Sequence, residues 1–131
     1  MKLILIRHGK TEWNSLNKAA GQVDIPLNDT GRKQARETKE KLKEYKIDLI
    51  ICSPLIRAKE TANIINEDRK LPLIIDERVI ERNLGIYEGK TNSDPIFNEI
   101  RYYTKNVFVK NGEDCKSYTK RVFEFFQLPH K

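Results

Sequence analysis

The sequence predicts an α/β domain with a mostly parallel central sheet between layers of helices. Two observations carry this. Short apolar runs within residues 3–6, 48–52 and 71–75 have the length and composition of buried strands. Between and after them, apolar residues recur every three or four positions, as on one face of a helix. Strands alternating with helices in this way build parallel sheets covered by helices.

Composition narrows the class of protein. The chain has 131 residues, 38% hydrophobic and 34% charged, which suits a single domain over residues 1–131 with a real core. No apolar run approaches the roughly 18 residues of a spanning helix, and the run at residues 3–6 is too short for a secretory signal. A cytoplasmic protein with no membrane partner is therefore expected. Cys52 and Cys115 lack metal or redox spacing, and two cysteines with two histidines assemble no zinc cluster, so no metal is expected. The net charge of +6 raises the question of nucleic acid. The lysines, however, alternate with glutamates: Lys33 and Glu37, Arg36 and Glu40, and Glu37 and Lys41 are four apart, as on a solvated helix face. No nucleic-acid partner is expected, and a general attraction for small anions explains the charge.

The elements follow in order. Residues 3–6 read as a first strand and run straight into Arg7, His8 and Gly9. Open α/β sheets bind ligands just beyond the carboxyl ends of their strands. A cation beside an imidazole, then a glycine admitting close backbone approach, suits an anion such as phosphate. On these three residues alone, a plain surface pair explains them equally well. Residues 10–27 contain Gly21, Asp24 and Pro26 and read as a long loop. Asn28, Asp29 and Thr30 offer capping oxygens to a helix starting near Gly31, with Ala35, Thr38, Leu42 and Tyr45 as its buried stripe.

Residues 48–52 form the second strand, with Cys52 a small core residue at its end. Pro54 suits the start of the next helix, whose inward stripe is Ala58, Thr61, Ala62 and Ile65. Arg57 follows this strand as Arg7 follows the first, so the two guanidinium groups can converge on one phosphate. An ordinary surface arginine is the alternative. Residues 71–75 are a third strand, placed at an edge or strand start by Pro72. The loop after it holds Asp76, Glu77, Glu81 and Glu88. A carboxyl acting as proton donor must be held partly protonated, and composition does not choose among these four. Residues 93–103 predict a helix with Ile96, Phe97, Ile100 and Tyr103 on one side, and residues 107–109 are ambiguous. Residues 111–114 open a last helix carrying Tyr118, Val122 and Phe125.

Longer strings sharpen this reading. Leu5-Ile6-Arg7-His8-Gly9, then Thr11, Trp13 and Asn14, strongly resemble the motif of the histidine phosphatase superfamily, the phosphoglycerate-mutase-like enzymes. The string at residues 21–27, Gly31 with Gln34-Ala35, Ser53-Pro54-Leu55 with Arg57-Ala58, Glu81 with Glu88-Gly89, and Gly112-Glu113-Asp114 resemble further family motifs in the family's order. The resemblance implies a phosphorylated nucleophile at His8, phosphate binding by Arg7, Asn14 and Arg57, and proton donation by Glu81. Gly21, Gln22 and Arg82 are candidate substrate-binding residues, and Trp13 a packing one. The implied activity is hydrolysis of a small phosphorylated metabolite without metal or cofactor. Lys10 departs from the family, which usually has an acidic residue there. The short distance from Glu81 to Gly112 resembles the small phosphatases, including the α-ribazole type, rather than the mutases with their larger insertion.

The resemblance runs from Lys2 to about Phe126. Family members follow the last helix with a strand ending in a second phosphate-binding histidine. Here the helix leads into Gln127-Leu128-Pro129-His130-Lys131, and His130 is a poor substitute because no apolar strand precedes it. The sequence thus resembles a C-terminally truncated member, with a three-layer α/β/α fold lacking its C-terminal strand region. A flank left open in this way predicts a homo-oligomer, with Tyr118, Val122, Phe125 and Phe126 at the contact. Three alternatives accompany the phosphatase reading: a catalytically impaired phosphate-binding remnant, a subunit completed by another chain, and a phosphoglycerate mutase.

Overall fold

The computed structural model describes residues 1–91, 93–100 and 108–127. The elements in order are helix α1 (Glu12–Ser15), helix α2 (Asp29–Lys41), strand β1 (Ile50–Cys52), helix α3 (Ile56–Asn66), strand β2 (Leu73–Ile75), helix α4 (Pro95–Ile100) and helix α5 (Cys115–Gln127). The fold is α/β. Strands β1 and β2 pair in parallel with Ile50 opposite Leu73 and Cys52 opposite Ile75, and α3 makes the crossover between them.

The expected first strand is the main correction. Residues 3–6 belong to no strand, and Leu3, Ile4, Leu5 and Ile6 are 54%, 37%, 77% and 41% exposed. Apolar composition favours a strand only where a neighbour supplies the ladder and a packing surface. Among the described residues none pairs with this segment. Pro72 sits where the sequence placed it, just ahead of β2, and its carbonyl accepts from the Ile50 N–H at 3.0 Å.

Helix α2 starts where its cap dictates. The Asn28 side chain accepts from the Gly31 N–H, and Asp29 lies in the first turn. Ala35 and Leu42 are buried as expected, but Tyr45 is 43% exposed, because the helix tightens into a 3₁₀ turn (Leu42–Glu44) that ends before it. The ion pairs of α2 differ from the four-apart pattern. Arg32 reaches Glu60 of α3 at 3.2 Å, and Lys39 reaches Glu67 and Asp68 at 3.1 and 2.8 Å. These tie α2 to α3 and the turn after it, while the pairs along the helix, Arg32 with Asp29 and Lys43 with Glu40, are three apart. In α3, Thr61, Ala62 and Ile65 are buried, and Arg57 joins them in place of the half-buried Ala58.

Of the helix expected over 93–103, α4 (Pro95–Ile100) is the described part, and residues 101–103 lie outside the described residues. Asp94 caps it by accepting from the N–H groups of Ile96 and Phe97. Phe97, Ile100 and Val109 form a buried cluster against Ala19, Leu84 and Tyr87, and Phe97, Ala19 and Leu84 of this group also line a cavity beside His8. Tyr103, Val107, Pro129 and His130 lie outside the described residues. In α5, Phe125 is 6% exposed with the Arg78 guanidinium 5.4 Å from its ring centroid, so it is core rather than contact surface; Phe123 and Phe126 are the exposed rings. Among the described residues no helix is long and apolar enough to cross a membrane.

Candidate active site

His8 and Gly9 lie between the first turn of α2 and the first turns of α3. Gly9 is buried, and a Cβ there would collide with the Gly31 backbone carbonyl. A Cβ on Gly31 would in turn collide with the Lys10 carbonyl. Two glycines thus let α2 press directly on the loop that carries His8. The His8 Nδ1 lies 2.7 Å from the Gly9 carbonyl oxygen. A carbonyl only accepts, so Nδ1 carries the proton, and the lone pair of the neutral ring is left on Nε2. Burial lowers the His8 pKa from 6.5; the Gly9 hydrogen bond and Glu81 raise it, and the charges of Arg57 and Arg7 depress it further.

A cavity of about 290 Å3 opens over this ring, lined among others by Arg7, His8, Asn14, Lys18, Gly21, Arg57, Glu81 and Arg82. A second cavity of about 350 Å3 adjoins it on the α2 side, sharing Arg7, His8 and Asn14 and adding Lys10, Gln34, Thr38 and Thr61. Seven of the eight residues singled out in the sequence meet at the first cavity. Gln22 is the exception. Its side-chain amide donates to the Glu81 carbonyl at 3.0 Å, and its N–H donates to Glu88 Oε1 at 2.9 Å.

The residues differ in how they are held. Arg7 is exposed at the rim, whereas Arg57 is 3% exposed. The Arg57 guanidinium donates to the carbonyls of Val23 and Gly21, and Asp24 accepts from the Ile56 N–H at 2.7 Å. The loop at 21–24 is therefore clamped onto the start of α3. Burial lowers the Arg57 pKa from its ordinary value against the pull of Glu81, Asp24 and Glu88, and the group stays a cation. Asn14 turns its side-chain oxygen to the Thr11 N–H at 2.9 Å, closing the cap of α1. Glu81 accepts from the Arg82 N–H at 2.7 Å. Arg82 is buried and donates to the carbonyls of Glu113 and Ile100.

Three supporting side chains escaped the sequence reading. Thr61 counted only as an inward-facing residue of α3, Glu88 as a rival carboxylate and as the close of the motif that holds Glu81, and Arg121 not at all. Glu88 accepts from Gln22 and Leu84, and Arg121 donates to the carbonyls of Arg78, Ile80 and Glu81. The available signal was a polar group on an otherwise apolar stripe, since a buried hydroxyl must find partners.

Residues 3–128 match the family model described as the histidine phosphatase superfamily, branch 1. The chain belongs to this superfamily. A curated relative, the uncharacterized phosphatase PhoE of Bacillus subtilis, is 43% identical over 118 residues, covering 90% of the chain and 58% of the relative. Among solved structures, the α-ribazole phosphatase of Shigella flexneri superposes with a TM-score of 0.81 at 30% identity, over 92% of the chain and 63% of the neighbour. A mycobacterial glucosyl-3-phosphoglycerate phosphatase, in complex with VO3, gives 0.81 at 28% identity, over 92% of the chain and 62% of the neighbour. The chain therefore spans less than two-thirds of the length of each of these proteins. Their phosphatase names and their shared architecture agree with the α/β fold and with the motifs around His8.

Proposed function

We propose that this chain hydrolyses phosphomonoesters of a small metabolite through a phosphohistidine on His8. The observation that carries the reading is the His8 ring, fixed by Nδ1 on the Gly9 carbonyl, in a cavity that also holds Arg7, Arg57 and Glu81. The Nε2 lone pair attacks phosphorus, and the bond from phosphorus to the ester oxygen breaks. Arg7, Arg57 and the Asn14 amide stabilise the charge on the transferring phosphoryl group. The protonated carboxyl of Glu81 delivers its proton to the departing oxygen. Water then attacks the phosphohistidine and gives up a proton to the Glu81 carboxylate; the P–N bond breaks, releasing inorganic phosphate and restoring the neutral ring. Lys10 and Lys18 add positive charge around this cavity pair, which suits an ester bearing further negative charge.

The test is incubation with a radiolabelled aryl phosphate, followed by alkaline quench. An acid-labile, alkali-stable label on the wild type and none on His8→Ala is the expected result. Equal hydrolysis by His8→Ala would end the mechanism. A second reading has its own observation: the exposed apolar segment at residues 3–6 leads directly to His8 and supports self-association or completion of the site by another chain. Turnover that rises more steeply than protein concentration would favour it.

A further inference from the structure

We propose that Thr61 is a positioning residue for His8, an inference that rests on the phosphohistidine reading above. Thr61 is 5% exposed and sits one turn after Arg57 in α3. Its hydroxyl donates to the Arg57 carbonyl at 2.8 Å, a habit of threonine inside helices that alone would need no further reading. The consequence lies on the other side of the oxygen. With its one proton spent on Arg57, the hydroxyl can only accept, and it receives the Gly9 N–H at 3.1 Å across 52 residues of sequence. Gly9 is the residue whose carbonyl holds His8 Nδ1.

One hydroxyl thus closes a chain from the Arg57 backbone through Thr61 and Gly9 to the imidazole. It fixes the tautomer and tilt of the nucleophile relative to the helix that carries the buried arginine. Gly9 cannot take its anchor from α2 instead, because the Gly31 carbonyl facing it presents an acceptor to its Cα side and no bond to its N–H. Removing the hydroxyl unpins the peptide before Gly9, so the peptide after it, whose carbonyl holds the ring, can turn about the Gly9 Cα and carry the ring with it. Displacement of a reacting group by about 1 Å can cost about 100-fold in rate.

The experiment pairs Thr61→Val, which keeps shape and removes the hydrogen bonds, with Thr61→Ser, which keeps them. Phosphorylation of His8 by an aryl phosphate should slow about 10- to 100-fold in Thr61→Val, with KM near wild type, and recover in Thr61→Ser. The readout independent of activity is the 15N spectrum of the His8 ring. The wild type and Thr61→Ser should show the Nδ1-protonated tautomer, and Thr61→Val a mixture of both. Should Thr61→Val fail to fold, Thr61→Ala removes the same hydroxyl and is read the same way. Identical ring spectra in the wild type and the hydroxyl-free variant overturn the proposal, as does a shifted tautomer in Thr61→Ser. A wild type that forms no phosphohistidine defeats the phosphatase reading instead, and the ring spectra still decide the role of Thr61.

Discussion

Glu113 and Arg121, on the approach to α5 and within it, form a two-point ion pair, with Nε and Nη2 of the arginine at 3.0 and 2.9 Å from the two carboxylate oxygens. The same guanidinium donates to the carbonyls of Arg78 and Ile80 at 2.8 and 2.9 Å and to that of Glu81 at 3.4 Å. Glu113 also accepts from the Asn83 N–H at 2.9 Å. The pair therefore holds both sides of the segment that presents Glu81 to the cavity. An ion pair used as a backbone bracket contributes through the bonds it organises more than through its own Coulomb attraction.

Glu113→Gln should destabilise the protein by about 1.5–3 kcal/mol at neutral pH, the range for hydrogen bonds to charged groups. Burial pushes the Glu113 carboxyl up, but the Arg121 hydrogen bond, the Asn83 N–H and the charges of Arg121 and Arg82 outweigh it and hold the pKa below 4.5. A carboxylate depressed on folding contributes stability that is present above the unfolded value and lost as pH falls through the folded one. Chemical denaturation across pH 7 to 3 should therefore show the variant and wild type converging below about 4.5, the unfolded value of such a carboxyl. A constant gap across that window would refute the bracket.

His8 should titrate below the ordinary histidine value of 6.5, since burial and the charges of Arg57 and Arg7 disfavour the charged ring. The sign follows directly. The neutral form persists on the acid side of 6.5, and under the proposed mechanism, in which that form attacks, turnover should fall only as pH drops through the lowered value. The stability linked to this ring is likewise present above 6.5 and lost as pH falls through the folded pKa. Arg7→Gln, at the exposed rim, should move the NMR midpoint of His8 upward. A wild-type midpoint at or above 6.5 would contradict the burial seen here.

Much of this site was legible because its residues sit in strings whose spacing survives folding. Arg7 and His8 share one loop, and Arg57 opens α3 directly after β1. The brackets were not legible. Thr61 meets Gly9 across 52 residues, and Arg121 meets Glu81 across 40, distances over which no local period operates. The strand at residues 3–6 was misread for a related reason. Its apolar run states a preference, while a strand exists only once another segment supplies the ladder.

Gly31→Ala should destabilise by about 1–3 kcal/mol, the usual cost of overpacking. Its Cβ would meet the backbone of Lys10, which cannot move without shifting His8. A urea midpoint lower than wild type, with slower labelling of His8, is the expected pair of results. An unchanged midpoint would mean that α2 does not press on the loop that carries His8.

Lys10→Glu should select against esters bearing additional anionic groups. The Lys10 backbone is pinned by its N–H on Gln34 at 2.9 Å and its carbonyl on the Asn28 N–H at 3.0 Å, so the side chain stays at the lip of the α2-side cavity. One charge about 4 Å away in water is worth about 1 kcal/mol, or roughly fivefold in binding. KM for an ester bearing a carboxylate in addition to its phosphate should rise by more than that on charge reversal, and KM for an aryl phosphate with no charge beyond the phosphate should rise less. Parallel rises for both substrates would remove Lys10 from substrate choice.

The exposed run Leu3, Ile4, Leu5 and Ile6 should drive association between chains. Four consecutive apolar residues between 37% and 77% exposed form a patch that water disfavours, and their backbone groups have no ladder among the described residues. Covering one leucine stabilises by about 1.5–3 kcal/mol, so Leu5→Lys should weaken association by roughly ten- to a hundredfold. Phe123 and Phe126 on α5, at 59% and 46% exposed, are the rival surface. Light scattering across a dilution series separates them. Dissociation on dilution that Leu5→Lys promotes and Phe126→Lys leaves alone would place the contact at the N-terminal segment. A monomer at every concentration would overturn the prediction.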